Sequence, residues 1–206
     1  MLLSIKEPTP VNLVNERPEG PVYIMNNART QLGLDLPVVG TNIELLPVEG
    51  EHLPAFKPFF KDEAALYYYL PGTLKTYDER ALSELFKDWN NGDTDVLLTI
   101  SKDKKPIGLI SIDQIDRDNK NAELGIALTD PESRGKGLAK AAIRLLTEHL
   151  LKQNRLHRLY ARVAVGNHRS RHLFEVSGFR YEGTLRDAML RPDGYLDMDV
   201  LGKVGD

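Results

Sequence analysis

Apolar positions change their period along the chain, and the changes mark its elements. "NIELLPV", "DVLLTIS", "IGLISIDQI" and "NAELGIAL" alternate or run apolar over short lengths and are bounded by the polar turns "KDKKP" and "DRDNK", which predicts strands. The last three form an antiparallel meander. Before them, Leu82, Leu85, Phe86 and Trp89 recur at helical spacing in "YDERALSELFKDW", with Thr76 as a cap. Residues 50–70 read as a short helix and an aromatic segment, "FFKDEAALYYYL". After the meander a helix is predicted over roughly 134–153. Leu138, Ala142, Leu145 and Leu146 form its apolar face, and Lys136, Lys140, Arg144, Glu148 and Lys152 its solvated stripe. "RLHRLYARVAV" is a strand, and "NHRSRHLFEVS" a short helix opened by Asn167 and stopped by Gly178. "FRYEGTLRDAML" and "YLDMDVLGKV" close the chain as a hairpin turned by "RPDG".

Residues 1–40 lack this regularity. "KEPTPVNLVNERPEGP" is rich in proline and polar residues and predicts an extension that packs on the surface or contacts a second copy. The domain proper is expected over 41–206.

Composition narrows the chemistry. The chain has 206 residues and no cysteine, so thiol nucleophiles, disulfides and thiolate metal sites are excluded. The net charge of -3 argues against a grip on nucleic acid backbone. With no apolar run of membrane-spanning length and no basic-then-apolar leader, a cytoplasmic protein without membrane contact is expected. His168 and His172 have the spacing of a two-histidine metal face. The residues between them are Arg-Ser-Arg and no acid joins them, so no metal site is expected.

Anion chemistry enters at "DPESRGKGLAKAAIRLLTEHLL". A strand leads into a turn with Gly135 and Gly137, and the turn into a helix. Backbone N–H groups then converge on one spot that an anion can approach closely. Phosphate is the natural occupant of such a site. The glycine spacing is not that of the P-loop, and GxG followed by Leu138 and Ala139 is not the dinucleotide fingerprint.

About thirty residues later, "NHRSRHLFEVSGF" gives a second signature: an Asn opening a helix, a small residue three on, an aromatic seven on and a closing Gly-Phe. Together with "RGKGLA" and the order of elements, it resembles the GNAT superfamily of acyl-CoA-dependent N-acetyltransferases over residues 41–204. "AELGIAL", "RGKGLAKAAI" and "GFRYEGTLRDAML..DGYLDMDVL" resemble its RimJ/RimL branch, which acetylates N-terminal amines of ribosomal proteins.

The resemblance implies an α/β fold with a mixed, mostly antiparallel seven-strand sheet flanked by helices and splayed between the strands at about 121–128 and 157–165. It implies that the amides of Arg134, Gly135, Lys136, Gly137, Leu138 and Ala139 hold the diphosphate of acetyl-CoA. The pantetheine arm would lie along Leu124, Gly125, Ile126 and Ala127, one of which donates to the oxyanion. Asn167 would bind the arm near its thiol. Many members carry a Tyr as general acid where this chain has Phe174, and Ser170 is expected to take that role; both would touch the cofactor. Glu123 is the candidate base. Its alternative is a structural carboxylate paired with a cation. Arg162 and Met189 stand where relatives carry other acids. Tyr67, Tyr68 and Tyr69 fall in the segment that forms the acceptor wall, and Tyr195 is a further acceptor-side candidate.

The expected reaction moves an acetyl group from acetyl-CoA directly to a primary amine, that of a peptide N-terminus, by a monomer or homodimer. Two alternatives stay open: acetylation of a small amine such as a polyamine, an amino acid or an aminoglycoside, and a non-catalytic acyl-CoA-binding module.

Overall fold

A computed structural model describes residues 32–69, 79–91, 93–153 and 155–205. In chain order come β1 (Val38–Val39), β2 (Glu44–Pro47), the one-turn helices α1 (Leu53–Phe56) and α2 (Glu63–Leu66), and α3 (Glu79–Asp88). Then follow β3 (Val96–Lys102), β4 (Lys105–Asp116), β5 (Asn121–Leu128), α4 (Leu138–Leu151), β6 (Arg158–Ala164), α5 (His168–Glu175), β7 (Arg180–Arg191) and β8 (Gly194–Val204). The strands form one sheet of eight in the order β1-β2-β3-β4-β5-β6-β8-β7. The strand beyond the expected seven is β1, two residues that pair with β2 through Val38↔Leu45 and Val39↔Glu44.

Every neighbouring pair is antiparallel except β5–β6. A parallel pair needs a long crossover, and α4 supplies it. Pairing between β5 and β6 is confined to Asn121↔Arg158, Ala122↔Leu159 and Glu123↔Tyr160. Beyond Glu123, β5 stays with β4 as far as Leu128↔Gly108, while β6 stays with β8 as far as Ala164↔Met198. The sheet therefore divides at Glu123, as the resemblance implied.

The core explains why these segments fold as they do. Leu138, Ala142, Ile143, Leu146 and Leu150 recur at helical spacing on α4 and are buried. Phe56, Phe60, Phe86 and Trp89 join α1 to α3, with ring centroids 5.6–6.0 Å apart among Phe56–Phe86, Phe60–Phe86 and Phe60–Trp89. Burying each such side chain stabilises the fold by about 1.5–3 kcal/mol. Leu32, Leu34, Leu36 and Val38 also lie in this core. Residues 1–31 and Thr76, the expected cap of α3, lie outside the described residues. Among the described residues, no helix is long and apolar enough to cross a membrane.

Candidate functional site

The β5–α4 connection is built to hold its shape. The amides of Thr129 and Asp130 both donate to the Ile107 carbonyl, at 3.0 and 3.1 Å. Asp130 caps the turn of Pro131–Ser133, accepting from the Glu132 amide at 3.2 Å, the Ser133 hydroxyl at 2.8 Å and Lys105 at 3.1 Å. These partners, Ser133 foremost, hold its carboxyl below the usual range. The helix begins at Leu138 and not at residue 134, because Gly135 and Gly137 take φ of +73° and +75°. Side chains rarely adopt this region, so glycine is the residue that permits the turn.

A Cβ at either glycine would meet no protein atom within 4 Å, so internal packing does not require their smallness. Among the described residues, the amides of Gly135 to Ala139 have no protein acceptor. The first intrahelical bond runs from the Ala141 amide to the Gly137 carbonyl at 3.0 Å. Open amides, a helix N-terminus and the charges of Arg134 and Lys136 together make an anion cradle.

A cavity of about 720 Å³ begins beside this cradle. One wall is Ile126, Leu128, Arg134 and Ala139. A second is Gly166 to Ser170 with Leu173, and a third is Phe59, Asp62, Ala64, Tyr68 and Tyr69. It therefore occupies the divergence of β5 from β6. Arg134 is fixed there by its guanidinium, whose Nε and Nη2 donate to the Leu128 carbonyl at 3.2 and 3.1 Å. Burial raises the Tyr69 hydroxyl's pKa, and the nearby Arg134 charge opposes this.

On the second wall, Asn167 caps α5, its Oδ1 accepting from the Ser170 amide at 3.2 Å. Ser170 is 8% exposed, and its Oγ is buried with no protein hydrogen-bond partner. Leaving such a hydroxyl unpaired costs about 1–3 kcal/mol, and a residue that lines the cavity can take a partner from a molecule bound there.

Of the residues expected from sequence, Ile126, Arg134, Ala139, Asn167 and Ser170 line the cavity. Gly135, Lys136 and Gly137 lie on the exposed turn next to it, and Leu138 is turned into the core. Leu124, Gly125 and Ala127 are buried in β5 beyond the end of the β6 pairing. Phe174 and Glu123 also lie off the cavity wall. Phe174 is fully buried and stacks edge-on against Phe179 with centroids 5.1 Å apart; it is a core residue and not a cavity wall. Glu123 does not line the cavity either. Its carboxylate accepts three hydrogen bonds from Arg162, at 3.1, 3.0 and 2.7 Å; Arg162 stands on β6 two residues beyond Tyr160, the rung partner of Glu123. Burial pushes this carboxyl up and Arg162 pulls it back down. The structural alternative thus describes its surroundings.

Sequence reasoning missed Asp62, which lines the cavity among Phe59, Tyr68 and Tyr69. No period marks this stretch of one-turn helices. Tyr67 is drawn to the closing hairpin, 3.4 Å from Asp193 and with the Arg191 guanidinium 5.1 Å from its ring centroid. Tyr195 is exposed on β8 and does not line the cavity.

The features fit acetyl-CoA: amides for a diphosphate, a slot where a strand edge is released, and a hydroxyl at the inner wall. Comparison with known proteins agrees. Residues 42–180 match the acetyltransferase (GNAT) domain family. The chain is 31% identical over 110 residues to the ribosomal-protein-serine acetyltransferase of Escherichia coli K12, covering 53% of this chain and 61% of that protein. It is 29% identical over 132 residues to the spermidine N(1)-acetyltransferase of Vibrio cholerae, covering 64% and 75%. Among solved structures, RimL, a ribosomal L7/L12 alpha-N-protein acetyltransferase in complex with coenzyme A, superposes with a TM-score of 0.74 at 21% identity, over 82% of this chain and 97% of that one. The match to the family spans well over half of the sequence and carries both the Gly135–Gly137 turn and the Asn167 helix: the chain belongs to the GNAT acetyltransferases.

Proposed function

We propose that the protein transfers an acetyl group from acetyl-CoA directly to a primary amine, and that the amine is the N-terminus of a protein or peptide. The observation that carries this reading is the buried Ser170 hydroxyl, without a protein partner, in one cavity with Arg134 and Asn167. The Gly135–Ala139 amides bind the diphosphate, and the edge of β5 beyond Glu123 receives the pantetheine arm. Ser170 stands at the thioester sulfur. The amine nitrogen bonds to the thioester carbon and the carbon–sulfur bond breaks. A β5 amide stabilises the oxyanion, and Ser170 relays a proton to the departing thiolate, recovering one through water from the nitrogen that has just bonded to carbon.

Two features favour an N-terminal amine. Its ordinary pKa near ~8 leaves a usable neutral fraction without a strong base, which suits a site whose Glu123 is tied to Arg162. Arg134 and Arg169 on two of the cavity walls also disfavour a long polycation. A cytoplasmic site of action fits such a substrate.

The test is CoA release from acetyl-CoA with serine-initial peptides, the same peptides blocked at the N-terminus, spermidine and an aminoglycoside. Turnover of free peptides and none of blocked ones is expected. Preference for spermidine would move the acceptor to small amines, and no release with any amine would refute catalysis.

A further inference from the structure

Ser170 has no protein hydrogen bond of its own to aim its hydroxyl, so its aim is set by the backbone that carries it. That backbone is the first turn of α5, held on one side by the Asn167 cap. On the other side the next residue, Arg171, is fastened to the closing hairpin. Its Nη1 makes a short charge-assisted bond to Oδ2 of Asp199 on β8. The other oxygen of Asp199 accepts from the Thr184 hydroxyl of β7 at 2.7 Å. Thr184 in turn shares a 2.8 Å hydrogen bond with the Tyr181 hydroxyl, and the Arg171 guanidinium lies 4.9 Å from the centroid of the Tyr181 ring. The four side chains close a ring.

The hairpin is shaped for this. Thr184 faces Asp199 directly, and the register shift between Tyr181 and Gly183 re-aims Tyr181. Asp199 is only 6% exposed, with both oxygens engaged, and neither it nor Arg171 lines the cavity.

We propose that Asp199, through Arg171, is a positioning residue for acetyl transfer: it fixes the first turn of α5 so that the Ser170 hydroxyl meets the thioester sulfur. The inference rests on the function proposed above. Neither residue touches substrate. A small displacement of a group that must lie in line with a reacting bond is enough to slow the step markedly.

A double-mutant cycle tests it. Asp199→Asn keeps the shape and removes the charge, and Thr184→Val removes one bond to Asp199 with less risk to folding. In the presence of Ser170, Asp199→Asn should lower kcat about tenfold and Thr184→Val less, with the KM for acetyl-CoA within about twofold of wild type. In a Ser170→Ala background both should change kcat by less than about twofold, because the hydroxyl they aim is gone. An equal fall in both backgrounds, or no fall in the first, would overturn the proposal. Asp199→Glu should recover part of the loss. If wild type acetylates no amine, the functional reading fails, and the positioning is then read from hydrogen exchange at the Ser170 amide. Exchange about tenfold faster in Asp199→Asn sustains it, and unchanged exchange refutes it.

Discussion

Replacing Ser170 with alanine should separate catalysis from stability. The Oγ has no protein partner, so no hydrogen bond is lost with it. The hydrogen bond that the Ser170 backbone N–H donates to Asn167 Oδ1 does not involve the hydroxyl and survives the change. Removing a buried, unpaired hydroxyl relieves a desolvation cost, so folding should be unaffected or gain up to about 1 kcal/mol. For a chain of this length that corresponds to a rise in Tm of at most about 2–4 °C. Loss of the proton donor to the thiolate should lower kcat about 100-fold, the lower end for general acid catalysis because a thiolate is a fair leaving group. That is about 2.7 kcal/mol on the barrier. The assay pairs CoA release at saturating acetyl-CoA with thermal melting. A kcat within about twofold of wild type would refute the acid role. A fall in Tm matching the loss of activity would refute the reasoning about the unpaired hydroxyl.

Gly137→Val should cost the fold about 1–2 kcal/mol, since φ there is +75°, and raise the Kd for acetyl-CoA more than tenfold by calorimetry; its Cβ meets no protein and fills the anion's space. Glu123→Gln should destabilise by about 2 kcal/mol in denaturant unfolding, since Arg162 loses its charge partner, while kcat of the folded enzyme stays within about twofold. Loss of kcat without loss of stability would restore Glu123 as a base. Burial lowers the pKa of His52, the charges of Glu49 and Glu51 opposing, and its Nδ1 accepts from the Glu49 amide at 3.2 Å. The stability this gives is complete above the ordinary histidine pKa and is lost as pH falls towards the depressed value. Melting should therefore show a loss as pH falls below the ordinary histidine pKa, and His52→Gln should remove it.

Much of this was legible in the chain because period and punctuation agree. The meander, the α4 stripe, the Asn167 cap and the closing hairpin each carry a local signal that the structure repeats. The tight turn before α4 was legible from Gly135 and Gly137, but the start of α4 was not. Its cap is a glycine with positive φ, which leaves no side-chain signature. The division of the sheet came from resemblance alone, because strand alternation does not say where a parallel partner is released. Alternation likewise assigns Glu123 a face without revealing that Arg162, two residues past its rung partner on β6, reaches back to it. Phe174 occupies a motif position, yet Phe179 claims its ring for the core. Asp62 sits between one-turn helices with no period to announce it, and only tertiary folding brings it to the cavity that Ser170 also lines.

The central claim is that the amides of Gly135 to Ala139 receive a diphosphate and thereby fix the thioester beside Ser170. A crystal structure with acetyl-CoA bound tests it most directly. The account predicts diphosphate oxygens within hydrogen-bond reach of those amides and the sulfur next to the Ser170 hydroxyl. A cofactor seated elsewhere, or a sulfur remote from Ser170, would contradict it.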